Sequence, residues 1–71
     1  MTLVEICTKI MTLGFTRNQA GTLASYVYHA LKYKDLTPII LGCRMFKDSR
    51  TNQWGDESGL IPELQQLFDI K

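Results

Sequence analysis

Long hydrophobic runs are missing from this sequence of 71 residues, although 45% of the residues are hydrophobic. The longest apolar runs extend over a few residues, as in Ile39-Ile40-Leu41, whereas a transmembrane helix needs about 20. No basic stretch followed by an apolar segment opens the chain, so we expect no secretory signal, no membrane and a cytoplasmic location. The length excludes two ordinary domains, and we expect residues 1–71 to form a single helical domain.

Strong net charge is also lacking. A formal charge of +1 excludes a polycation that coats nucleic acid through charge alone, and the hydrophobic content excludes a disordered chain. The charges are nevertheless uneven, because residues 1–54 carry four excess positive charges and residues 55–71 three excess negative ones. Two interpretations stay open: the acidic end lies near the basic middle, or the basic residues form a phosphate-contacting face. The candidates for nucleic-acid binding are Lys32, Lys34, Arg44, Lys47 and Arg50.

Cysteine and histidine are scarce, which limits the chemistry open to the chain. Cys7 and Cys43 both lie in apolar stretches, so we expect reduced, buried thiols that act as small hydrophobic groups. His29 is the sole histidine and there is no Cys-x-x-Cys pair, so a metal site is not expected. We find no glycine-rich phosphate loop and no nucleophile with an adjacent base. We therefore expect no catalytic residues and no cofactor.

Helix signals open the chain. Thr2 and Glu5 match a capping box, and a stripe of apolar residues at spacings of three and four follows. Gly14 stands just beyond that stripe, in the position where a helix often ends. The pattern predicts a first helix over residues 3–13.

A second set of helix signals follows at once. Thr16 and Gln19 match another capping box, and the apolar pattern beyond them predicts a helix over residues 17–33. One face of this helix carries small side chains, so another helix could approach it closely. The small residues are Ala20, Gly21, Ala24 and Ser25.

Prolines mark the remaining helices. Pro38 after Thr37 predicts a third helix over residues 38–47, although the apolar run within it would also suit a buried strand and Gly42 disfavours a helix. Pro62 marks a fourth. The expected fold is an all-α bundle of four helices at about 3–13, 17–33, 38–47 and 62–69, with a polar loop at 48–59.

The corner between the first two helices has a local resemblance. Residues 13–20, Leu-Gly-Phe-Thr-Arg-Asn-Gln-Ala, resemble the helix 1–helix 2 corner of ubiquitin-associated (UBA-like) three-helix domains. The resemblance covers about eight residues, and the 48–59 loop and the fourth helix have no counterpart in that family. It implies that Leu13, Gly14 and Phe15 would form a partner-binding corner.

Trp54, the sole tryptophan, lies in the most polar stretch of the chain. Two roles stay open for it: a lid folded over the edge of the core, or an exposed anchor for a partner. The candidates for partner binding are Trp54, Tyr33, Arg50 and Phe15.

The hydrophobic residues exceed what one small core needs, which favours docking on a partner. We therefore expect a non-catalytic interaction module that docks on a larger protein as an adaptor, regulator or inhibitor, alone or as a homodimer. The alternative is a nucleic-acid-binding regulator that uses the basic region between residues 32 and 50.

Overall fold

The computed structural model of the protein describes residues 1–70 and is mainly helical. Within these residues no helix is long and apolar enough to cross a membrane. The second helix packs against the first and the third, and the third contacts the fourth. The helices are α1 (Leu3–Met11), α2 (Arg17–Tyr33), α3 (Thr37–Arg44) and α4 (Leu60–Phe68), and the strands are β1 (Lys47–Asp48) and β2 (Gln53–Trp54).

The capping box that begins α1 is confirmed. The Glu5 amide donates to the Thr2 hydroxyl, and the Thr2 amide donates to the Glu5 carboxylate. The helix ends at Met11 rather than at residue 13, because the next three amides bond to carbonyls three residues back and form a turn. Gly14 leaves this turn at a φ of +102°, a conformation that glycine adopts without steric cost.

The predicted bounds of α2 are confirmed, but its second capping box is only half formed. The Thr16 hydroxyl accepts from the Gln19 amide as expected. The Gln19 side chain does not reach back to Thr16 in a reciprocal bond; its Oε1 accepts instead from the Ser49 hydroxyl at 2.8 Å. Gln19 therefore connects the start of α2 to the hairpin.

The third segment is a helix, not a strand, and it ends at Arg44 rather than at residue 47. Its N-cap is Leu36, whose carbonyl accepts from the Ile40 amide. The Asp35 carboxylate accepts from both the amide and the hydroxyl of Thr37. Beyond the helix the chain turns into β1. Just before β1, the Phe46 carbonyl accepts from the amide of Gly55, which follows β2.

The polar stretch 48–59, predicted as a loop without regular structure, contains most of a small antiparallel hairpin. Lys47 pairs with Trp54 and Asp48 with Gln53. The turn between the strands includes Asn52 at a φ of 61°, in the left-handed region. Strands of two residues are too short to show an alternating pattern in the sequence.

The fourth helix begins two residues before the predicted start at residue 62. Gly59, at a φ of 84°, is its N-cap, so Pro62 occupies the third helical position and not the first. The helix ends at Phe68, where Asp69 adopts a left-handed conformation at a φ of 54°.

The core gathers side chains from all four helices and from the segments beside the hairpin. Gly42, which disfavours a helix, is required where α2 and α3 meet, since a Cβ there would lie 2.4 Å from the ring of Tyr26. The buried apolar residues are Ile6, Ile10, Phe15, Ala20, Leu23, Ala24, Val27, Ala30, Ile39, Cys43, Phe46, Leu60, Leu64 and Phe68.

Candidate interaction surface

Arg50, predicted to contact either a partner or nucleic acid, is engaged inside the fold. Its Nη2 lies 2.8 Å from Oδ2 of Asp48 and 2.7 Å from Oε1 of Glu63. Its Nη1 donates to the Leu13 carbonyl at 3.1 Å, and the guanidinium carbon lies 4.3 Å from the centre of the Phe15 ring. The side chain remains 21% exposed.

The charge of Arg50 is paired within the chain with two carboxylates. Hydrogen bonds from the Arg50 side chain hold the pKa of the fully buried Asp48 carboxyl below its usual value, although burial alone would raise it. Hydrogen bonds to Asp48 first, and to Glu63 second, raise the pKa of Arg50. Glu63 belongs to the acidic end, so at this point the acidic end lies against the basic middle.

Arg50 also contacts the corner between α1 and α2 that resembles UBA-like domains. The Cδ of Arg50 lies 3.6 Å from where a Cβ on residue 14 would stand. Phe15 is 5% exposed, and its ring packs edge-on against Phe46 with the ring centres 5.8 Å apart. Of the three corner residues that the resemblance assigns to a partner, Phe15 is therefore buried within this chain, whereas Gly14 is exposed.

Trp54 and Tyr33, the other predicted partner-binding residues, lie on the surface. Trp54 is 46% exposed, and the Lys47 amine lies 5.0 Å from the centre of its ring. Tyr33 is exposed at the end of α2, with the Lys32 amine 5.6 Å from its ring centre. The Trp54 side chain is thus on the surface, and its role as an anchor for a partner stays a prediction.

The predicted nucleic-acid residues do not share one environment. Lys32, Lys34, Arg44 and Lys47 are exposed, at the ends of α2 and α3 and on β1. Arg50 differs from them because two carboxylates already pair with it. The structure thus leaves four of the five side chains accessible to a phosphate.

A groove lies between α1 and α2, and its α2 side includes residues of the small face noted in the sequence, although none of its lining residues was among the predicted site residues. It encloses about 460 Å³, and its α1 side includes Val4, which is 75% exposed, and Leu3, which is 49% exposed. We call it the α1–α2 groove. Its lining residues are Leu3, Val4, Cys7, Gly21, Ala24, Ser25, Tyr28 and His29.

The helical periods of α1 and α2 explain the groove. Ile6 and Ile10 of α1 are buried in the core. The other apolar side chains of α1 therefore lie on an exposed face of the helix, beside the buried one. Facing them, α2 presents the small side chains noted in the sequence. A Cβ added to Gly21 would meet nothing within 4 Å, so the space above this part of α2 is open.

The groove continues at both ends, and each continuation has a cation. One depression, of about 310 Å³, shares Val4 and Cys7 with the groove and extends to Arg17. Another, of about 180 Å³, shares Tyr28 and extends to Lys32. In the part of the chain that the structure describes, none of the residues lining these three depressions is an aspartate or glutamate.

The two cysteines lie in different environments. Cys7 is half-buried in the groove, whereas Cys43 is fully buried elsewhere, and burial above all raises the pKa of the Cys43 thiol to about 11. A thiol with that pKa is protonated at neutral pH and is a poor nucleophile. Among residues 1–70, no three or more His, Cys, Asp or Glu side chains are grouped so that they could hold a metal ion.

Comparison with known proteins identifies no relative. No protein-family model, curated protein or solved structure matches this chain. The resemblance at the α1–α2 corner therefore stays a likeness of about eight residues. Function has to be argued from the surface itself.

Proposed function

We propose that this protein is a non-catalytic, cytoplasmic interaction module that docks on a larger protein as an adaptor, regulator or inhibitor. The observation that supports this is the α1–α2 groove with its exposed apolar rim. Among residues 1–70, nine large hydrophobic side chains are exposed, and five of them are on α1, next to it or on the facing side of α2: Met1, Leu3, Val4, Met11 and Tyr28. Contiguous exposed apolar patches of this kind mark sites of interaction with other proteins.

Apolar contacts in the groove would supply a substantial part of the free energy that binding requires. Burying one Leu, Val or Met side chain contributes roughly 1.5–3 kcal/mol, so three or four such contacts offset much of the entropy lost on association. The cytoplasmic location is supported by Cys7 and Cys43, which are free thiols in the structure.

The test compares two matched substitutions in affinity capture from cells that make the protein. Val4 and Met45 are both 75% exposed, so neither Val4→Glu nor Met45→Glu should unfold the domain. Val4 lines the groove, whereas Met45 is the C-cap of α3. We expect Val4→Glu to lose the captured partner and Met45→Glu to retain it, with circular dichroism as the check on folding.

Trp54→Ala completes the comparison, because Trp54 was the sequence-based candidate for the anchor. If Trp54→Ala loses the partner while Val4→Glu retains it, docking takes place at the hairpin instead of the groove. If every variant behaves like the wild type, the interaction proposal fails for both surfaces.

A second candidate function, nucleic-acid binding, is favoured by one observation. The amine of Lys47 lies 5.0 Å from the ring centre of the exposed Trp54, which places a cation beside an aromatic ring on which a base can stack. If this function holds, affinity for a single-stranded oligonucleotide falls steeply between low and physiological salt and weakens in Lys47→Glu. Absence of binding at low salt rules the function out.

A further inference from the structure

We infer that the α1–α2 groove binds an amphipathic helix of a partner protein, with carboxylates near both ends of its apolar stripe. This inference rests on the proposed function, because it names the kind of segment that the groove accepts. Helix-in-groove binding is a common mode of peptide recognition, in which side chains three, four and seven residues apart enter an apolar groove.

The length of the surface fits a helix of about four turns. Arg17 and Lys32, which line the continuations at the two ends, are fifteen residues apart on α2. At 1.5 Å per residue they are separated by about 22 Å along the helix axis, which a partner helix of about 15 residues covers.

Gly21 points to close approach by another backbone. Glycine destabilises the interior of a helix, and Gly42 and Gly55 each have a neighbour inside the fold that excludes a larger residue. Gly21 has no such neighbour, because a Cβ there would meet nothing within 4 Å. A helix seated in the groove supplies the close contact that this chain does not.

The charges around the groove favour a partner helix with carboxylates near both of its ends. The α1 residues that line the groove are uncharged; Glu5 is not among them, and its carboxylate accepts from the Thr2 amide. The cations Arg17 and Lys32 are at opposite ends of the α2 side. Carboxylates near both ends of a partner helix would each meet one of these cations.

The same charges disfavour a second copy of this chain in the groove. Two copies related by a two-fold axis, with antiparallel α2 helices, would bring Arg17 of each towards Lys32 of the other. Like charges brought together in this way oppose association. The occupant that fits is therefore a different, acidic segment.

Three synthetic peptides of about 18 residues test the inference by fluorescence anisotropy. The first has leucines on one helical stripe and glutamates near both ends of that stripe, the second replaces the glutamates with lysines, and the third keeps the glutamates but replaces the leucines with serines. We expect the first to bind at least about tenfold more tightly than either control. Protection of Cys7 from alkylation would place the bound peptide in the groove, since Cys7 lines it.

A charge-reversed protein carrying Arg17→Glu and Lys32→Glu provides the matched variant. Both side chains are exposed, so the fold should persist, and the order of affinities for the acidic and basic peptides should reverse. Equal affinity of these two peptides for the wild type would overturn the inference that the partner helix is acidic at its ends, while leaving the groove as a docking site. Tight binding of the serine peptide, or no binding of the first peptide, overturns the helix-in-groove inference.

Light scattering of the protein alone tests whether a second copy of the chain occupies the groove. A dimer that forms at micromolar concentration and dissociates in Val4→Glu would show that a second copy occupies the groove, which overturns the inference. The proposed function is judged separately by the capture experiment, which uses no designed peptide.

Discussion

The guanidinium of Arg50 meets the carboxylate of Asp48 along one edge, with Nε 3.0 Å from Oδ1 and Nη2 2.8 Å from Oδ2. Asp48 is the only buried polar or charged residue in the described part of the chain, and the Arg50 amide also donates to its Oδ1. Glu63 accepts from the outer nitrogens of the same guanidinium. One arginine therefore joins the hairpin, α4 and the corner between α1 and α2.

Replacing Arg50 with lysine should destabilise the protein even though the charge is kept. A lysine amine cannot reproduce the paired contacts to two carboxylates, and the buried Asp48 would lose hydrogen bonds. We expect a loss of about 2 kcal/mol in the free energy of unfolding, measured with urea. Arg44→Lys, an exposed control in the last turn of α3, should change it by less than about 0.5 kcal/mol. Equal effects of the two substitutions would show that the cluster adds little.

Acid should remove the contribution of Asp48. Because the pKa of this carboxyl is lowered in the folded protein, its stabilisation is fully present above the ordinary value of about 3.8. The stabilisation is then lost as the pH falls through the lower folded value. The difference in free energy of unfolding between wild type and Asp48→Asn should therefore be constant from pH 7 to about 5 and shrink below about 4. A difference that stays constant down to pH 2 would contradict this.

Two glycines on helices should respond to alanine in opposite directions. Gly42→Ala places a Cβ 2.4 Å from the Tyr26 ring and should destabilise the protein by about 1–3 kcal/mol. Gly21→Ala meets open space and should stabilise it by up to about 1 kcal/mol, because alanine favours the helix. Thermal and urea unfolding of the two variants measure both effects. Changes of the same sign would show that the packing of α2 differs from that described.

The two thiols should react at different rates. Cys43 is fully buried with a pKa of about 11, whereas Cys7 is half-buried in the α1–α2 groove. A thiol reagent at pH 8 should modify Cys7 rapidly and Cys43 only when the fold opens. The fast phase should be absent from Cys7→Ser, and a fast phase that remains there would place Cys43 within reach of solvent.

The helices were predictable because their signals are local. The capping box at Thr2 and the apolar periods identify α1 and α2, and the exact extent of α2 is confirmed. The ends of α3 and α4 were less predictable, because their caps depend on backbone conformation. At Asp69, for example, a left-handed residue ends the helix where the sequence shows no glycine.

The site was less predictable than the fold, because contacts distant in sequence decide it. Nothing near Arg50 indicates that it reaches Leu13, 37 residues away, so its charge looked available to a partner or to phosphate. The small face of α2 was visible in the sequence. That Gly21 would border an open groove, instead of packing against α1 or α3, depends on how the helices are placed.

By composition, the hairpin segment resembles a flexible linker, the usual place to cut a chain or insert a tag. Asp48 is fully buried there and Ser49 bonds to Gln19. A Cβ on Gly55 would lie 2.8 Å from the Cys43 carbonyl oxygen, so Gly55 packs closely against α3. An insertion between these residues would disrupt contacts that the folded hairpin makes simultaneously. Much of this segment is exposed, but a protease would cleave it only after these contacts had opened.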